Sequence, residues 1–504
     1  MTDKERREES PHSAAQVASI HAVTGEVLRR DIKPSEILAL GFNICNSWIA
    51  IATSLAIAIS AGGTVTVIYG IIVISFSYSA IGITLAELAS VYPTAGGQYH
   101  FASILSPYKC NRAISYTCGL AAVASWIFLS AAITILSCQL LLTVPSFYVE
   151  SYTPEPWHYF LVFQAINAVM LIYNIFCLKK TPWTHNIGFA MSLVMFLVIF
   201  VTCLARSTKQ PSDAVWTSFN NQTGWPAGIT FLTGLVTPAS MFGGIDAVLH
   251  LAEECNQPQR TVPKALMSIL AIGMLTGFAF AVAMSYGITD LDVLVGATMP
   301  IFELWRQATN SDLAATLFVV ALHVITLFSV NAVQQTASRM AWAFARDGGL
   351  PPRHKLAHVD ARQLVPVWAL CANAAIVLIG GCIYLGYTAA FSAIISSSLV
   401  LQLVSFAIPA ALLLWHRRSP VVLPADRPFR VKAFIGWSAN IFTVVLSIVF
   451  AVIFTFPGAI PVTGNSMNYA SAVIAAVGIL GGLNWIFYAR RHYTGPSIDE
   501  YRTT

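Results

Sequence analysis

Phe242-Gly243-Gly244-Ile245-Asp246 lies within an apolar run over residues 228–250. The run is long enough to cross a hydrocarbon core of about 30 Å. Two adjacent glycines are poor helix formers. A break here bares backbone N–H and C=O groups that lipid cannot satisfy, so they must face protein, water or a bound molecule. Close packing through small residues is the other reading of a glycine pair. Asp246 favours the first, because an ionisable group at bilayer depth is costly and usually functional. It can pair with a cation or a proton, or it can cap the second half-helix by accepting N–H bonds. Asp is a strong N-cap, and the capping role is the expected one.

Eleven more apolar runs surround this one. Helices are expected at roughly 38–60, 66–90, 113–142, 157–178, 185–205, 228–250, 266–288, 313–341, 365–387, 390–414, 434–456 and 466–489, each about 20 residues or longer. The expected fold is an all-α integral membrane protein with 12 transmembrane helices. Alternate loops differ in charge. With the N-terminus cytoplasmic, that side holds 25 of the 28 Lys and Arg, and only Arg206, Lys209 and Arg306 fall opposite. The positive-inside rule therefore puts both termini in the cytoplasm. The expected organisation is a tail over 1–36, helices 1–10 over 37–415, a basic loop over 416–433, helices 11–12 over 434–489 and a tail over 490–504.

Mean hydropathy is +0.68 and 10% of residues are charged, too few to cover a soluble protein of this size. The net charge of +5 follows from basic residues at the cytoplasmic membrane surface and calls for no nucleic-acid partner. Glu150, Glu155, Asp213, Asp290, Asp292, Glu303 and Asp312 gather on the other face. They read as a solvated surface, with attraction of cations as the alternative. The nine cysteines contain no C-x-x-C pair, so no metal site or cofactor is expected. The N-terminal segment lacks the apolar core of a signal peptide, and the first span is expected to act as the signal anchor. The sequon Asn221-Gln222-Thr223 lies in the longest outer loop, making Asn221 a candidate glycosylation site. Pro300–Arg306 reads as a short amphipathic helix on the outer surface.

The first span carries Asn43-Ile44-Cys45-Asn46-Ser47-Trp48 at or just before its centre. It opens one block of five spans as the sixth opens another. Polar or Gly-interrupted segments at matching places in two halves point to paired broken helices at a binding site. Trp48 either offers an aromatic face to an amine or packs between helices, and Trp126 has the same two readings. His250 lies four residues after Asp246 on the same helical face and titrates near neutral pH. Its place near the cytoplasmic end makes a wetted histidine the expected reading. Ser329, Asn331, Gln334, Gln335 and Ser338 make the eighth span polar, to line an aqueous path or to bond helices together. His323 there is expected to be packed. Enzyme motifs such as H-E-x-x-H, G-x-S-x-G and a phosphate loop are absent from the sequence. No repeated filter motif indicates a channel.

Three stretches carry a family resemblance. Leu85-Ala86-Glu87-Leu88 with Pro93 and Gly96-Gly97-Gln98-Tyr99 resembles the "AEL…P.sGG.Y" signature of the amino acid–polyamine–organocation transporter superfamily. Gly243-Gly244-Ile245-Asp246-Ala247 with Ala252-Glu253-Glu254, Pro258 and Pro263 resembles its "GFDA…AEE…P.R..P". Arg339 with Ala345-Arg346-Asp347-Gly348 and Pro351 resembles its "R..yamARDG.lP". Asn46-Ser47-Trp48, Gly96–Phe101 and Pro156–Tyr159 resemble the fungal amino acid/choline permease branch. The resemblance implies a five-plus-five inverted repeat with broken helices 1 and 6, two extra helices, and alternating access around a mid-membrane site. Carried over, the substrate site is Asn46, Ser47, Trp48, Ile49 and Ala50 with Phe242, Gly243, Gly244, Ile245 and Asp246, joined by Trp126. Phe242 is the expected lid. Asp246, His250, Ser329 and Asn331 are the coupling candidates.

Amino-acid carriers of that group have a Gly-rich "GSG" break in span one that holds the substrate carboxylate. This chain has Asn46-Ser47-Trp48 there, which turns the expectation toward an amine or choline-like solute held by Trp48. Residues 184–205 contain no Lys, unlike members in which a span-five Lys replaces sodium. A proton is the expected co-substrate by analogy. The expected function is thus a secondary active symporter for amino acids or related nitrogenous solutes, such as choline or γ-aminobutyrate. Its place is the plasma or vacuolar membrane. The alternative is a nutrient receptor of the same fold that signals without transport, for which the two tails look short.

Overall fold

A segment crossing lipid must satisfy its own backbone groups, so each apolar run closes on itself as a helix. The computed structural model describes residues 32–178, 181, 183–297, 299–386, 390–464 and 466–496. The expected tails lie mostly outside the described residues, as do Lys179 and Lys180. The described chain is all-helical, with only isolated bridges at Ile32–Cys255 and Ala61–Asn221 in extended pairing.

The first apolar run forms α1 (Pro34–Cys45) and α2 (Ser47–Ser60), and the second forms α3 (Gly63–Val91). A short α4 (Gln98–Leu105) precedes α5 (Asn111–Tyr148), α6 (Pro156–Phe176) and α7 (Thr184–Arg206). The sixth run is divided into α8 (Ala227–Gly234), α9 (Val236–Ser240) and α10 (Ala247–His250). Then come α11 (Pro258–Gly287), α12 (Pro300–Thr309), α13 (Asp312–Arg346), α14 (Val367–Gly386), α15 (Ala390–Trp415), α16 (Ala433–Ile453) and α17 (Ala470–Asn484). Among the described residues, 10 helices are long and apolar enough to cross a membrane, and two shorter apolar stretches, Ala227–Ser240 and Val367–Cys382, fall on the sixth and ninth runs. The chain is a multi-pass membrane protein.

Two elements differ from expectation. Helix α11 begins at Pro258, well before the apolar run, because Pro at the first helical position starts a helix whatever the polarity of its first turns. Helix α12 forms, but it does not lie on the surface. Ile301, Leu304 and Trp305 are buried, and the helix packs on α2, α7, α11 and α13. Glu303, expected in a solvated rim, is buried and paired with Arg306 at 2.9 Å.

Packing brings together apolar runs five places apart, the second with the seventh, the third with the eighth and the fourth with the ninth: α3 lies on α11, α5 on α13 and α6 on α14. Gly82 allows the first approach, since it faces Leu266 and Leu270 of α11 with no room for a Cβ. Helix α1 packs on α7, α11 and α13, and α2 packs on α9 and α11. Helix α16 joins α15 to α3, and α17 rests on α15.

Glu87, at the end of α3, ties this bundle to the basic loop after α15. It is fully buried and pairs with Arg418 and Arg427, each at 2.6 Å. Removing the acid leaves two nearly buried cations uncompensated, a defect that costs about 3–5 kcal/mol. Glu87→Ala is therefore expected to lower the detergent-solubilised melting temperature sharply, and Glu87→Asp much less. Equal melting of Glu87→Ala and the wild type would remove this clamp from the account.

Candidate functional site

Each break turns on one left-handed residue. Asn46, at φ 33°, separates α1 from α2, and asparagine is among the few side chains that adopt this conformation readily. Its carbonyl still accepts from Ile49 N and Ala50 N at 2.9 and 3.1 Å, so the first span kinks without unwinding. In the sixth run the backbone leaves α9 through tight turns. Gly243 N bonds Ser240 O at 3.1 Å, and Ile245 N bonds Phe242 O at 3.1 Å. Gly244 has φ +78°, and a Cβ there would meet Ile44, Leu129 and Trp126 at 2.6, 2.9 and 3.1 Å. The two breaks touch directly, because Ser47 Oγ donates to Met241 O at 2.7 Å.

A cavity of about 110 Å³ opens beside the breaks. It runs from Ile44, Cys45 and Asn46 along Ile49, Ala50, Thr53 and Ser54, away from the basic end of the bundle. Ser240 and Gly243 line it from the sixth run, Leu129 from α5, Thr326 and Ser329 from α13, and Ser398 and Leu399 from α15. The lining holds neither a charged side chain nor an aromatic ring. Asn46 Nδ2 and Ser329 Oγ are buried without a partner among the described residues. They are free to bond a solute.

Asp246 lies behind this wall. Its carboxylate occupies the N-cap position of α10 yet caps nothing. It instead accepts three side-chain N–H donors and faces a ring nitrogen of His250. Gln98 Nε2, Trp126 Nε1 and His250 Nε2 reach Oδ2 at 2.6, 3.2 and 3.1 Å, and Gln402 Nε2 reaches Oδ1 at 2.9 Å. The expected capping role is therefore wrong. A side chain in reach of long-range donors at both oxygens does not turn back to its own helix. His250 is likewise not a wetted interface residue. It is fully buried, with Nδ1 at 2.9 Å from Ala95 O, because α4 and its preceding loop fold over the end of α10.

The three quoted motifs meet at this end. Glu253 pairs with Arg346 at 3.0 Å and accepts Ala95 N at 3.0 Å. Glu254 pairs with Arg339 at 3.0 Å. Asp347 accepts from Tyr99 Oη at 2.9 Å and faces His100 Nε2 at 2.8 Å. Burial pushes the Glu253 carboxyl up, but the Arg346 guanidinium and the Ala95 N–H outweigh it and hold the pKa down at about 2.

The remaining sequence candidates divide. Asn46, Ile49, Ala50, Gly243 and Ser329 line the cavity. Ser47 joins the breaks, as above. Ile245 is buried outside the lining. Trp48 is a packed core residue: Nε1 donates to Ser192 Oγ at 2.9 Å, and the ring lies 5.5 Å from that of Phe280. It cannot hold an amine in the cavity. Phe242 is no lid here, since its ring lies 5.3 Å from that of Tyr78, away from the cavity. Asn331 is buried outside the cavity, His323 bonds Ser137 O at 2.9 Å, and Gln334 bonds Asn167 Oδ1 at 3.0 Å. Asn221 is exposed, with Nδ2 bonded to Trp225 O at 2.6 Å. Gln98 and Gln402 were not among the candidates. Gln402, a lone amide inside an apolar run, carries the same signal that marked Asp246.

A cavity flanked by two helix breaks, deep in a bundle of membrane-crossing helices, defines a carrier for small solutes. A family model described as amino acid permease matches residues 34–479, and the chain belongs to that family, within the amino acid–polyamine–organocation superfamily and its fungal permease branch. A choline transporter of Saccharomyces cerevisiae is 34% identical, over 95% of this chain and 85% of its own. A 7-keto 8-aminopelargonic acid transporter of the same yeast is 27% identical over 88% and 89%. Amino-acid permease BAT1 of Arabidopsis thaliana is 26% identical over 93% of each chain. The protein is accordingly a transmembrane transporter of amino acids or related small solutes, and not an enzyme.

The glycines make opposite predictions. A Cβ at Gly243 would be tight against Ser240 O at 3.3 Å but needs a shift of only a few tenths of an ångström, so Gly243→Ala should keep uptake within about threefold of wild type, less than 1 kcal/mol. Gly243→Leu should fill the cavity and abolish uptake while the melting temperature holds. Gly244→Ala, strained in backbone and contacts, should lose both. Unimpaired uptake by Gly243→Leu would remove the solute from this cavity.

Proposed function

We propose that the protein is a proton-coupled carrier that moves a small nitrogenous solute by alternating access. The solute would bind in the cavity at the paired breaks, with Asn46 Nδ2 and Ser329 Oγ as its polar contacts. The observation that carries this reading is the cavity itself. It is built from both breaks, has two polar atoms without a partner among the described residues, and includes Gly243, three residues from the buried Asp246.

The twelve apolar runs would then be twelve crossings, the first ten arranged as a five-plus-five inverted repeat. Three features support this. Helices α3, α5 and α6 pack on α11, α13 and α14, which belong to the apolar runs five places on. The first and sixth runs each break at one left-handed residue. The basic loops gather at one end, which is cytoplasmic by the positive-inside rule. Rocking of one set of helices about the breaks would expose the cavity to each side in turn. The membrane would be the plasma or vacuolar membrane, with Asn221 glycosylated on the outer side.

The named relatives span a quaternary ammonium and amino acids. An uncharged lining leaves the cationic group of such a solute to be met through space by Asp246, three residues beyond Gly243 of the wall. The test is uptake of labelled choline, γ-aminobutyrate and a neutral amino acid into proteoliposomes, with and without an inside-alkaline pH gradient. Accumulation of one solute that collapses when the gradient is dissipated is the expected result. Saturable binding with neither accumulation nor counterflow would replace the carrier with a receptor of the same fold.

A further inference from the structure

Among the described residues, the acids of the polar layer at the basic end have arginine partners. Glu87 has Arg418 and Arg427, Glu253 has Arg346, and Glu254 has Arg339. Asp347 lies 3.8 Å from Arg346 as well as facing His100. Among the described residues, Asp246 pairs with a histidine alone. Arginine never releases its proton at physiological pH, whereas histidine does.

The hydrogen bonds of His250 then count its protons. Nδ1 faces the Ala95 carbonyl at 2.9 Å and Nε2 faces Asp246 Oδ2 at 3.1 Å. A carbonyl oxygen and a carboxylate oxygen only accept, so a neutral imidazole, with one N–H and one lone pair, can satisfy just one of them. Leaving His250 aside, Asp246 already accepts the Gln98 and Trp126 N–H groups at Oδ2 and the Gln402 amide at Oδ1. Three N–H donors on one carboxyl group are the complement of an acceptor-only, ionised carboxylate. His100 makes the contrast. Its Nδ1 faces Thr94 Oγ1 at 2.8 Å, and a hydroxyl donates or accepts as required, so a neutral ring serves there.

We propose that Asp246 and His250 together hold the coupling proton of the carrier, as a buried imidazolium–carboxylate pair that locks the sixth-run break to the helices around it. The proposal rests on the proton-coupled reading above and names the groups that carry it. When loaded, Nδ1–H points at Ala95 O and Nε2–H at Asp246 Oδ2. Unloading passes the Nε2 proton to water on the side then open. It leaves the neutral Nδ1–H imidazole, with the Nε2 lone pair set against a carboxylate oxygen. Two acceptors repel at that distance, so the contact opens. Asp246 is three residues from Gly243 in the cavity wall. It is bonded to Gln98 of α4, Trp126 of α5 and Gln402 of α15. Loss of the proton thus loosens the break at the point where it meets both solute and scaffold.

The other titratable groups facing the pair do not replace it. Cys45 on α1, Tyr78 on α3 and Cys118 on α5 face Asp246 as weak acids, neutral at working pH. Trp126 lies over the His250 ring with centroids 5.7 Å apart and carries no charge. Toward the basic end, Glu253 stays ionised with its pKa at about 2. Glu254 and Asp347 have the arginine partners already named.

The test uses the full chain in proteoliposomes with labelled choline, γ-aminobutyrate or a neutral amino acid as probe. His250→Gln keeps an amide donor to Asp246 and has no proton to release. A pH gradient of about one unit can drive up to about tenfold accumulation by a 1:1 symporter. The expected result is that His250→Gln loses this accumulation and the pH dependence of uptake, yet keeps solute counterflow, which needs no net proton movement. Gradient-driven accumulation by His250→Gln equal to wild type overturns the proposal and leaves the carrier intact. Counterflow by the wild type with no response to the gradient overturns proton coupling itself. Should His250→Gln fail to fold, nitrogen-15 spectra of wild-type protein decide. Doubly protonated signals from a buried histidine at neutral pH, lost at alkaline pH, support the pair. A full set of neutral buried histidines, with no carboxylic-acid infrared band that Asp246→Asn removes, overturns it.

Discussion

A carboxylate buried in the bundle has to be met by donors, because the cost of an unpaired charge there exceeds what any single contact returns. Asp246 is met by four, and each comes from a different place in the chain: Gln98, Trp126, His250 and Gln402. That one requirement fixes how α4, α5, α10 and α15 stand toward one another. It also explains why the sixth run breaks. A continuous helix would point residue 246 along its own face, whereas the turn at Gly244 swings the carboxylate to where all four donors reach it.

The same physics governs the quoted motifs. Glu253, Glu254, Arg339, Arg346, Asp347, Tyr99 and His100 are far apart in sequence, yet they close one polar layer at the basic end. Each acid finds a partner that neutralises it, and the Ala95 peptide joins the layer to Asp246, its N–H on Glu253 and its carbonyl on His250. The layer is not a complete closure, since a cavity of about 300 Å³ lined by Glu254, Arg339, His185 and Gln335 also opens at this end. Arginine makes the outer pairs permanent, and the histidine makes the inner pair conditional.

The helices were legible in the sequence because lipid allows an apolar run little choice: its backbone closes within the segment. Boundaries drifted where polar turns extend a helix past the membrane, as at Pro258 and Arg346. The paired breaks were legible from Gly243-Gly244 and from the polar stretch at Asn46. Which way a side chain faces was not. Trp48 and Phe242 sit at the breaks but turn into the core, against Ser192 and Tyr78. Whether a mid-membrane aromatic faces a cavity depends on neighbouring helices, which a single run does not record. Asp246 was found by its charge but given the wrong role, since a cap is a local reading and its donors lie more than a hundred residues away, His250 excepted. Gln98 went unnoticed because it lies outside the apolar runs, and Gln402 because a lone neutral amide in a span was given less weight than a charge.

The cavity wall carries the last consequence. With neither charge nor ring in its lining, the site cannot hold a cationic head by ion pairing or by an aromatic face. The Asp246 carboxylate is outside that lining and already engaged at both oxygens. A cationic solute in the cavity would therefore gain from Asp246 through space and not by direct contact. Of the four side chains bonded to Asp246, His250 alone is an ionisable base. On the proposed mechanism the charge of such a solute and the charge of the imidazole would act on the same carboxylate, from sites that are adjacent but distinct.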